Sequence, residues 1–225
     1  SLAITADGAV WSWGGGGQGR LGHGDWQNRL LPKKVEALAG QHVVAVSAGF
    51  VHSLAIAADG AVWSWGAGDN GRLGHGDQQN QLLPKKLEAF AGQRVVAVSA
   101  GSRHSLALSD GAVWSWGEGY SGRLGHGDQQ NQLRPKKIEA FADQSIIAVS
   151  TGEHHSLALT VGGSVWSWGG GASGQQLGHG DQQNQLRPKK IEAFADQRII
   201  AVSTGEHHSL ALTTDGSVWS WGYGG

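Results

Sequence analysis

Short runs of apolar residues recur along the chain in a fixed order, separated by polar and glycine-rich segments. VVAVSAG at 95–101 is almost continuously apolar, which predicts a strand buried on both faces. HSLALSDG at 104–111 predicts a second strand ending in an Asp-Gly turn. AVWSWG at 112–117 has alternating positions and predicts a third. The best helix candidate, KKIEAFADQ at 136–144, has an Ile-Phe spacing that also fits a strand.

A fourth, weaker run predicts an edge strand. LRPKKIEAF at 133–141 contains Pro135, which would remove a ladder hydrogen bond from a central strand. Lys136 and Lys137 favour the same position, because charged side chains protect exposed sheet edges from further pairing. Each unit of four strands therefore has one outer, solvent-facing edge.

The whole four-strand pattern is an internal repeat. The first Trp of each Trp-Ser-Trp motif lies at 11, 63, 114, 166 and 219, so the period is 51–53 residues. The chain reads as one segment with repeats at 1–41 (partial), 42–92, 93–143, 144–196 and 197–225 (partial).

These repeats predict an all-β fold, a β-propeller of four-stranded antiparallel blades, with a stacked solenoid as the competing architecture. With strands lettered A to D from the axis outward, the chain reads BCD, three times ABCD, and ABC. This order predicts an incomplete ring of about four repeats. Because the sequence starts at Ser1 inside a motif, we expect a window of a longer propeller. A short chain that forms an open arc or assembles with copies of itself is the alternative.

The tryptophan pairs are predicted to hold neighbouring blades together. Residues i and i+2 of a strand share a face, so both rings of a pair project into the same gap between blades. The predicted structural tryptophans are Trp11, Trp13, Trp63, Trp65, Trp114, Trp116, Trp166, Trp168, Trp219 and Trp221.

One complete period, VVAVSAGSRHSLALSDGAVWSWGEGYSGRLGHGD at 95–128, resembles the repeat of the regulator of chromosome condensation family. The resemblance covers essentially the whole chain and implies blades of a seven-bladed β-propeller. It also implies two activities as alternatives. One is guanine-nucleotide exchange on a Ran-type small GTPase, for which the family's exchange factor uses an inserted wedge; no repeat here has an insertion beyond one residue.

The second implied activity is ultraviolet-B photoreception, and the sequence disfavours it. The family's photoreceptor carries its sensing tryptophans in the loop before the second strand. The matching positions here are Phe50, Ser102, Glu153 and Glu206, and none of them is Trp.

Composition and charge indicate which partners the chain can bind. The net charge of −1 and the Glu that follows each Lys-Lys doublet argue against binding to nucleic acid. No apolar run is long enough to span a membrane. The chain has no cysteine, which is compatible with a reducing compartment, and we expect an intracellular protein, cytoplasmic or nuclear.

Histidines recur in two series with the period of the repeat. Such a pattern could indicate a catalytic site or a metal site, but the spacing argues against both. Equivalent residues of successive blades are expected to lie well apart around the ring, so no metal site is predicted. Both series are expected to hydrogen-bond loop backbone. His104 and Ser105 are adjacent on a strand and point to opposite faces, so no catalytic pair is predicted. We expect neither an enzyme nor a cofactor.

Differences between otherwise near-identical repeats indicate where binding occurs. They concentrate in the loop before the second strand and at the tips of the glycine-rich loops, such as 118–121 and 170–173. The sequence therefore predicts a non-enzymatic scaffold that binds another protein, the rest of its own propeller, or copies of itself. The candidate interaction residues are Trp26, Phe50, Arg103, Tyr120, Glu153, His154, Glu206 and His207.

Overall fold

The computed structural model describes residues 1–171 and 175–223. Ala172 and Ser173, which belong to one of the variable loop tips, lie outside the described residues.

The strands form five antiparallel sheets, here called blades 1 to 5 in chain order. Blade 1 contains β1 (Leu2–Ile4), β2 (Val10–Gly14) and β3 (Arg29–Lys34). Blade 2 contains β4 (Val43–Ala48), β5 (His52–Ala57), β6 (Val62–Gly66) and β7 (Gln81–Lys86). Blade 3 contains β8 (Val95–Ala100), β9 (His104–Ser109), β10 (Ala112–Gly117) and β11 (Gln132–Lys137). Blade 4 contains β12 (Ile146–Thr151), β13 (His155–Thr160), β14 (Val165–Gly169) and β15 (Gln185–Lys190). Blade 5 contains β16 (Ile199–Thr204), β17 (His208–Thr213) and β18 (Val218–Gly222).

Short 3-10 turns follow the third and fourth strands of the blades. The turns after the third strand are Gly17–Gly19, Asp69–Gly71 and Tyr120–Gly122. The turns after the fourth strand are Glu36–Leu38, Glu88–Phe90, Glu139–Phe141 and Glu192–Phe194. The segment 136–144 therefore ends a strand and then forms one turn that buries Phe141, which resolves the ambiguity between helix and strand.

The topology confirms the predicted all-β incomplete propeller. The complete blades have the order A-B-C-D, for example β4-β5-β6-β7, with each strand antiparallel to the next. Blade 1 supplies B, C and D, and blade 5 supplies A, B and C. Pro135 lies in β11, the outer edge strand of blade 3.

The inner strands differ from the sequence prediction. They were predicted to be buried on both faces, and this is wrong, because Val44 and Val96 are each 54% exposed. Small polar side chains instead connect adjacent inner strands, as in the Ser99 Oγ to Thr151 Oγ1 hydrogen bond of 2.8 Å. In blades 2 to 4 strand B is the fully buried one, because it lies between strands A and C and under both neighbouring blades.

The hydrophobic core lies in the gaps between blades. Between blades 2 and 3, Leu54 and Phe90 of the first blade pack with Trp116 of the second. The Phe90 ring meets Trp114 and Trp116 edge-on, with centroid distances of 5.7 and 5.9 Å. The same arrangement recurs at Phe141 and Phe194, so these aromatic contacts join each of blades 2 to 4 to the next blade.

Both ends of the arc expose apolar side chains that the inner blades bury. Leu30 is 95% exposed, whereas its equivalent Leu82 lies against Gly19 of the preceding blade. At the other end Val218 is 69% exposed, whereas Val165 is fully buried. The two end faces therefore expose the same kinds of apolar side chain that pack between the inner blades.

Candidate functional site

The four loops that join strands A and B meet on one face of the arc. Each begins with glycine. A Cβ at Gly49 would lie 2.5 Å from the carbonyl oxygen of Gly101, and the next two loops repeat this close approach. Backbone hydrogen bonds join the loops from blade to blade: the amide of Phe50 donates to Gly101, and the amide of Glu153 donates to Glu206. The residues after each glycine are thereby held side by side.

A shallow depression of about 300 Å³ lies at the centre of these loops. Its wall contains the residue after each glycine, that is, Phe50, Ser102, Glu153 and Glu206. The remaining wall consists of the loop glycines and of the alanine or threonine that ends each inner strand. The positions that vary most between repeats therefore surround one concavity.

Blades 4 and 5 bring acidic and imidazole groups together beside this depression. A carboxylate oxygen of Glu153 lies 3.5 Å from Nε2 of His154, and the other lies 3.5 Å from Nε2 of His207. Ligand atoms of Glu153, Glu206 and His207 all lie within 4.8 Å of one another. The expectation that equivalent residues of successive blades lie well apart is wrong here, because the loops meet close to the axis.

A buried ion-pair network orients His154. The fully buried guanidinium of Arg123 lies 2.7 Å from Glu118, and its Nη2 donates to Nδ1 of His154 at 2.7 Å. Burial, together with the charge of Arg123, lowers the pKa of His154 below its ordinary value. Arg103 also contacts Glu118, at 3.2 Å. The neighbouring loops thus form one charged network rather than separate tips.

Aromatic and imidazole rings follow one another across the same face. Tyr120 meets His154 edge-on at 6.5 Å, His154 stacks on His207 at 6.5 Å, and His207 meets Tyr223 edge-on at 6.4 Å. Tyr120 is 62% exposed. Glu118 lies in the variable tip at 118–121 but is not among the candidate interaction residues, and Tyr223 was not identified from the sequence.

Seven of the eight candidate interaction residues lie in these loops or contact them, and the eighth stands apart. Phe50 is 69% exposed at the depression, and Arg103 lies on the next loop, where it contacts Glu118. Trp26 is 65% exposed in the glycine-rich loop of blade 1. Its equivalent Gln78 accepts a hydrogen bond from the backbone of Asn70, a contact that an indole cannot accept.

The structure places a repeated latch between blades that sequence reasoning missed. The backbone oxygen of Arg72 in blade 2 accepts hydrogen bonds from Ser105 Oγ at 2.9 Å and from Trp116 Nε1 at 2.8 Å, both in blade 3. His52 of blade 2 lies 2.9 Å from the same hydroxyl. Because the hydroxyl hydrogen is committed to Arg72, Ser105 accepts from Nε2–H of His52. Equivalent bonds to Arg20, Arg123 and Gln176 join the other blades.

This latch is structural in its chemistry. Both His52 and Ser105 are fully buried, and the hydroxyl donates to a carbonyl rather than to the imidazole, which is the reverse of an activated nucleophile. Burial lowers the pKa of His52 to about 3, so the ring is neutral at pH 7.

The second histidine series also contacts serine hydroxyls, so the expectation of bonds to loop backbone is wrong. His75 lies 2.9 Å from Ser64, which itself donates to the carbonyl of Leu73. Burial lowers the pKa of His75 to about 4. The serine of the Trp-Ser-Trp motif thus links its strand to its loop in blades 1 to 4.

The two tryptophans of each pair have different environments. The second ring of the inner blades is fully buried and donates to the carbonyl of the latch, whereas the first is half-buried against the residue that ends the 3-10 turn of the preceding blade. That residue is Leu38 for Trp63 and a phenylalanine for the other two rings. The buried rings are Trp65, Trp116 and Trp168, and the half-buried ones are Trp63, Trp114 and Trp166. At the ends of the arc, Trp11, Trp13 and Trp221 are half-buried and Trp219 is 46% exposed.

The sequence profile of the family described as "RCC1-like domain" matches residues 1–225. Human E3 ubiquitin-protein ligase HERC2 is 42% identical over 224 residues, which is 98% of this chain and 5% of that protein. The Arabidopsis thaliana ultraviolet-B receptor UVR8 is 38% identical over 215 residues, which is 95% of this chain and 49% of the receptor. The chain thus spans at most about half the length of these relatives.

Solved structures give the same architecture. Human WBSCR16 superimposes with a TM-score of 0.85 at 25% identity, over 98% of this chain and 58% of that one. Yeast RCC1 (Prp20), in its complex with Kap60, superimposes with a TM-score of 0.83 at 27% identity, over 97% and 53%. Among the described residues, no helix has the length and apolar character to cross a membrane.

Proposed function

The chain belongs to the RCC1-like domain family, and from this premise we propose that it is a non-enzymatic repeat scaffold that binds another protein through its A–B loop face. This face consists of the A–B loops at 49–51, 101–103, 152–154 and 205–207, with Glu118 and Tyr120 of the neighbouring glycine-rich loop.

The observation that carries the proposal is a constant backbone that presents different side chains. The A–B loops read Phe50-Val51, Ser102-Arg103, Glu153-His154 and Glu206-His207, while in the first three of them the amide after the glycine donates to a carbonyl of the next loop. Packing alone would favour the same residue in every copy, because the environment is nearly the same. Side chains that differ on a rigid, exposed frame are typical of recognition surfaces.

The side chains present suit a protein partner. Phe50 and Tyr120 supply exposed aromatic area, and Arg103 supplies a half-exposed charge, and these residue types are enriched in interface hot spots. Structures of the yeast relative concern protein partners: one is of Kap60 bound to Prp20, and another concerns binding of Prp20p to Gsp1p and histones.

Paired substitutions test the face. Proteins captured by the wild-type chain are compared with those captured by a Phe50→Ala, Tyr120→Ala variant and by a Val161→Ala control, which changes an equally exposed apolar residue in a B–C turn. We expect a protein captured by the wild-type chain, once purified, to bind the Val161→Ala control with wild-type affinity and the paired variant at least tenfold more weakly. Equal affinity for both variants contradicts the proposal.

The end faces are proposed as a second association surface, for other propeller blades or for another copy of this chain. Exposed Leu30 and Val218 have equivalents that are packed inside the arc, so the exposed faces match a blade gap in chemistry. Light scattering after size exclusion tests the self-association branch. A single species at the monomer mass of 23.5 kDa contradicts it.

Nucleotide exchange on a Ran-type small GTPase is the second candidate function, favoured by the superposition on yeast RCC1 with a TM-score of 0.83. Against it, the repeats carry no insertion that could act as a wedge. Acceleration of fluorescent nucleotide release from Ran by micromolar chain would support it, and unchanged release would exclude it. Photoreception is not proposed, because the sensing-loop positions hold Phe50, Ser102, Glu153 and Glu206.

A further inference from the structure

The carboxylates of Glu153 and Glu206 face each other across adjacent blades. Glu153 is half-buried and Glu206 is exposed, and ligand atoms of both lie within 4.8 Å of His207. Among residues 1–171 and 175–223, neither carboxylate has an arginine or lysine partner within 4.0 Å, and the ionisable groups that contact the Glu153 carboxylate are imidazoles. Two anionic groups at this spacing repel each other in the folded state.

Arg123 fixes the ring of His154 beside this pair of carboxylates. The Arg123 guanidinium donates to Nδ1 of His154 at 2.7 Å. Nε2 of His154 lies 3.5 Å from a Glu153 oxygen, so the held ring limits the positions that the Glu153 carboxylate can take, as neighbouring groups do around metal-binding carboxylates.

We propose that Glu153, Glu206 and His207 bind one divalent transition-metal ion, of which Zn²⁺ is the best fit, at the edge of the central depression. The set of two carboxylates and one imidazole is a zinc donor set, whereas Mg²⁺ and Ca²⁺ prefer oxygen ligands alone.

The spacing of the donors supports this assignment. Zinc–ligand bonds of about 2.0–2.2 Å in a tetrahedral site place ligand atoms about 3.3–3.6 Å apart. The Glu153 oxygen and His207 Nε2 already lie 3.5 Å apart. The wider gaps, up to 4.8 Å, close with shifts of about 1 Å, which the exposed side chain of Glu206 can make. Three protein ligands leave the fourth position to water.

The sequence predicts no metal site here. The sequence pattern gives the period of the repeat but not the distance of equivalent residues from the propeller axis. At the rim, residues 53 positions apart would be separated by a blade width. Glu153 and Glu206 are such equivalents, and they meet only because their loops bond to each other through the amide of Glu153 and the carbonyl of Glu206.

The experiment titrates the metal-stripped 225-residue chain with Zn²⁺ by calorimetry and with Co²⁺ by visible absorption. We expect one equivalent bound and a Co²⁺ band typical of a nitrogen- and oxygen-ligated site. Glu206→Gln and His207→Gln are each expected to weaken Zn²⁺ binding at least tenfold. Because both side chains are wholly or partly exposed, a thermal melt without metal will show the fold unchanged.

The controls are Glu192→Gln, on the 3-10 turn after β15, and His42→Gln, at the opposite end of β4 from the A–B loop. Both should keep wild-type affinity and stoichiometry. Loss of binding in His208→Gln with retention in His207→Gln would place the ion elsewhere and overturn the proposal. Absence of heat and of a Co²⁺ band up to about 1 mM metal would also overturn it.

Discussion

Lowering the pH is expected to weaken the joint between blades 2 and 3 through His52. Its imidazole is fully buried, donates to Ser105 of the next blade and has a pKa lowered to about 3 by burial. In the unfolded chain the same ring has a pKa of about 6.5. The unfolded state therefore binds more protons between these two values, and stability falls as the pH falls from 6.5 towards 3.

The magnitude follows from that difference in proton uptake. Each such group contributes about 1.4 kcal/mol per pH unit once the unfolded state titrates. Between pH 7 and pH 5, His52 alone is expected to remove about 2 kcal/mol from the free energy of unfolding. Carboxyl groups, with ordinary values near 4, protonate little in this interval.

Urea unfolding at pH 7 and at pH 5 measures the effect, with His52→Gln as the test variant and exposed His42→Gln as the control. Glutamine keeps an N–H donor near Ser105 but does not titrate. The test variant should therefore lose about 2 kcal/mol less than wild type between the two pH values. The control should lose as much as wild type. Equal losses in wild type and His52→Gln would refute the reasoning.

Three further changes test the latch and its loops by urea unfolding at pH 7. Ser105→Ala leaves the buried Nε2–H of His52 without an acceptor and should cost about 1–3 kcal/mol. The control Ser220→Ala changes the serine of the Trp-Ser-Trp motif in exposed β18 and should change stability by less than about 0.5 kcal/mol. Trp116→Phe removes the donor to Arg72 and should cost about 1–3 kcal/mol; an unchanged midpoint would show that the bond contributes nothing. Gly71→Ala places a Cβ 2.7 Å from the Cα of Leu133 at a φ of +78° and should cost more than about 1 kcal/mol, so a stability equal to wild type would contradict the close packing of these loops.

The strand order could be predicted from the sequence because the relevant signals are local. Alternation around Trp114 and the Asp-Gly turn at 110–111 lie within a few residues of the strands they define. The burial of the inner strand could not be predicted. An apolar run has the same sequence pattern whether its second face is covered or, as at Val96, open towards the axis.

The contacts between blades could not be predicted, because their partners are distant in sequence and often lie in the backbone. The carbonyl of Arg72 accepts from Ser105 and Trp116, which are 33 and 44 residues further on. A carbonyl oxygen carries no residue-type signal, so the pattern alone does not reveal that acceptor. The loops around Glu153 and Glu206 were identified as variable, but their closeness depends on the radius of the arc, which only the structure provides.

The latch has a consequence for how such a chain can change in evolution. Every one of its bonds joins a blade to the next blade along the chain, with partners 33 to 54 residues apart. If one whole period is duplicated or deleted, each donor therefore still meets an equivalent acceptor in the adjacent blade, and no bond to a distant blade is lost. Residues 126–144 and 179–197 are identical in sequence, as expected where a unit is copied intact. The same modularity allows a gene to alter the number of blades in one step while the loops diverge afterwards, residue by residue.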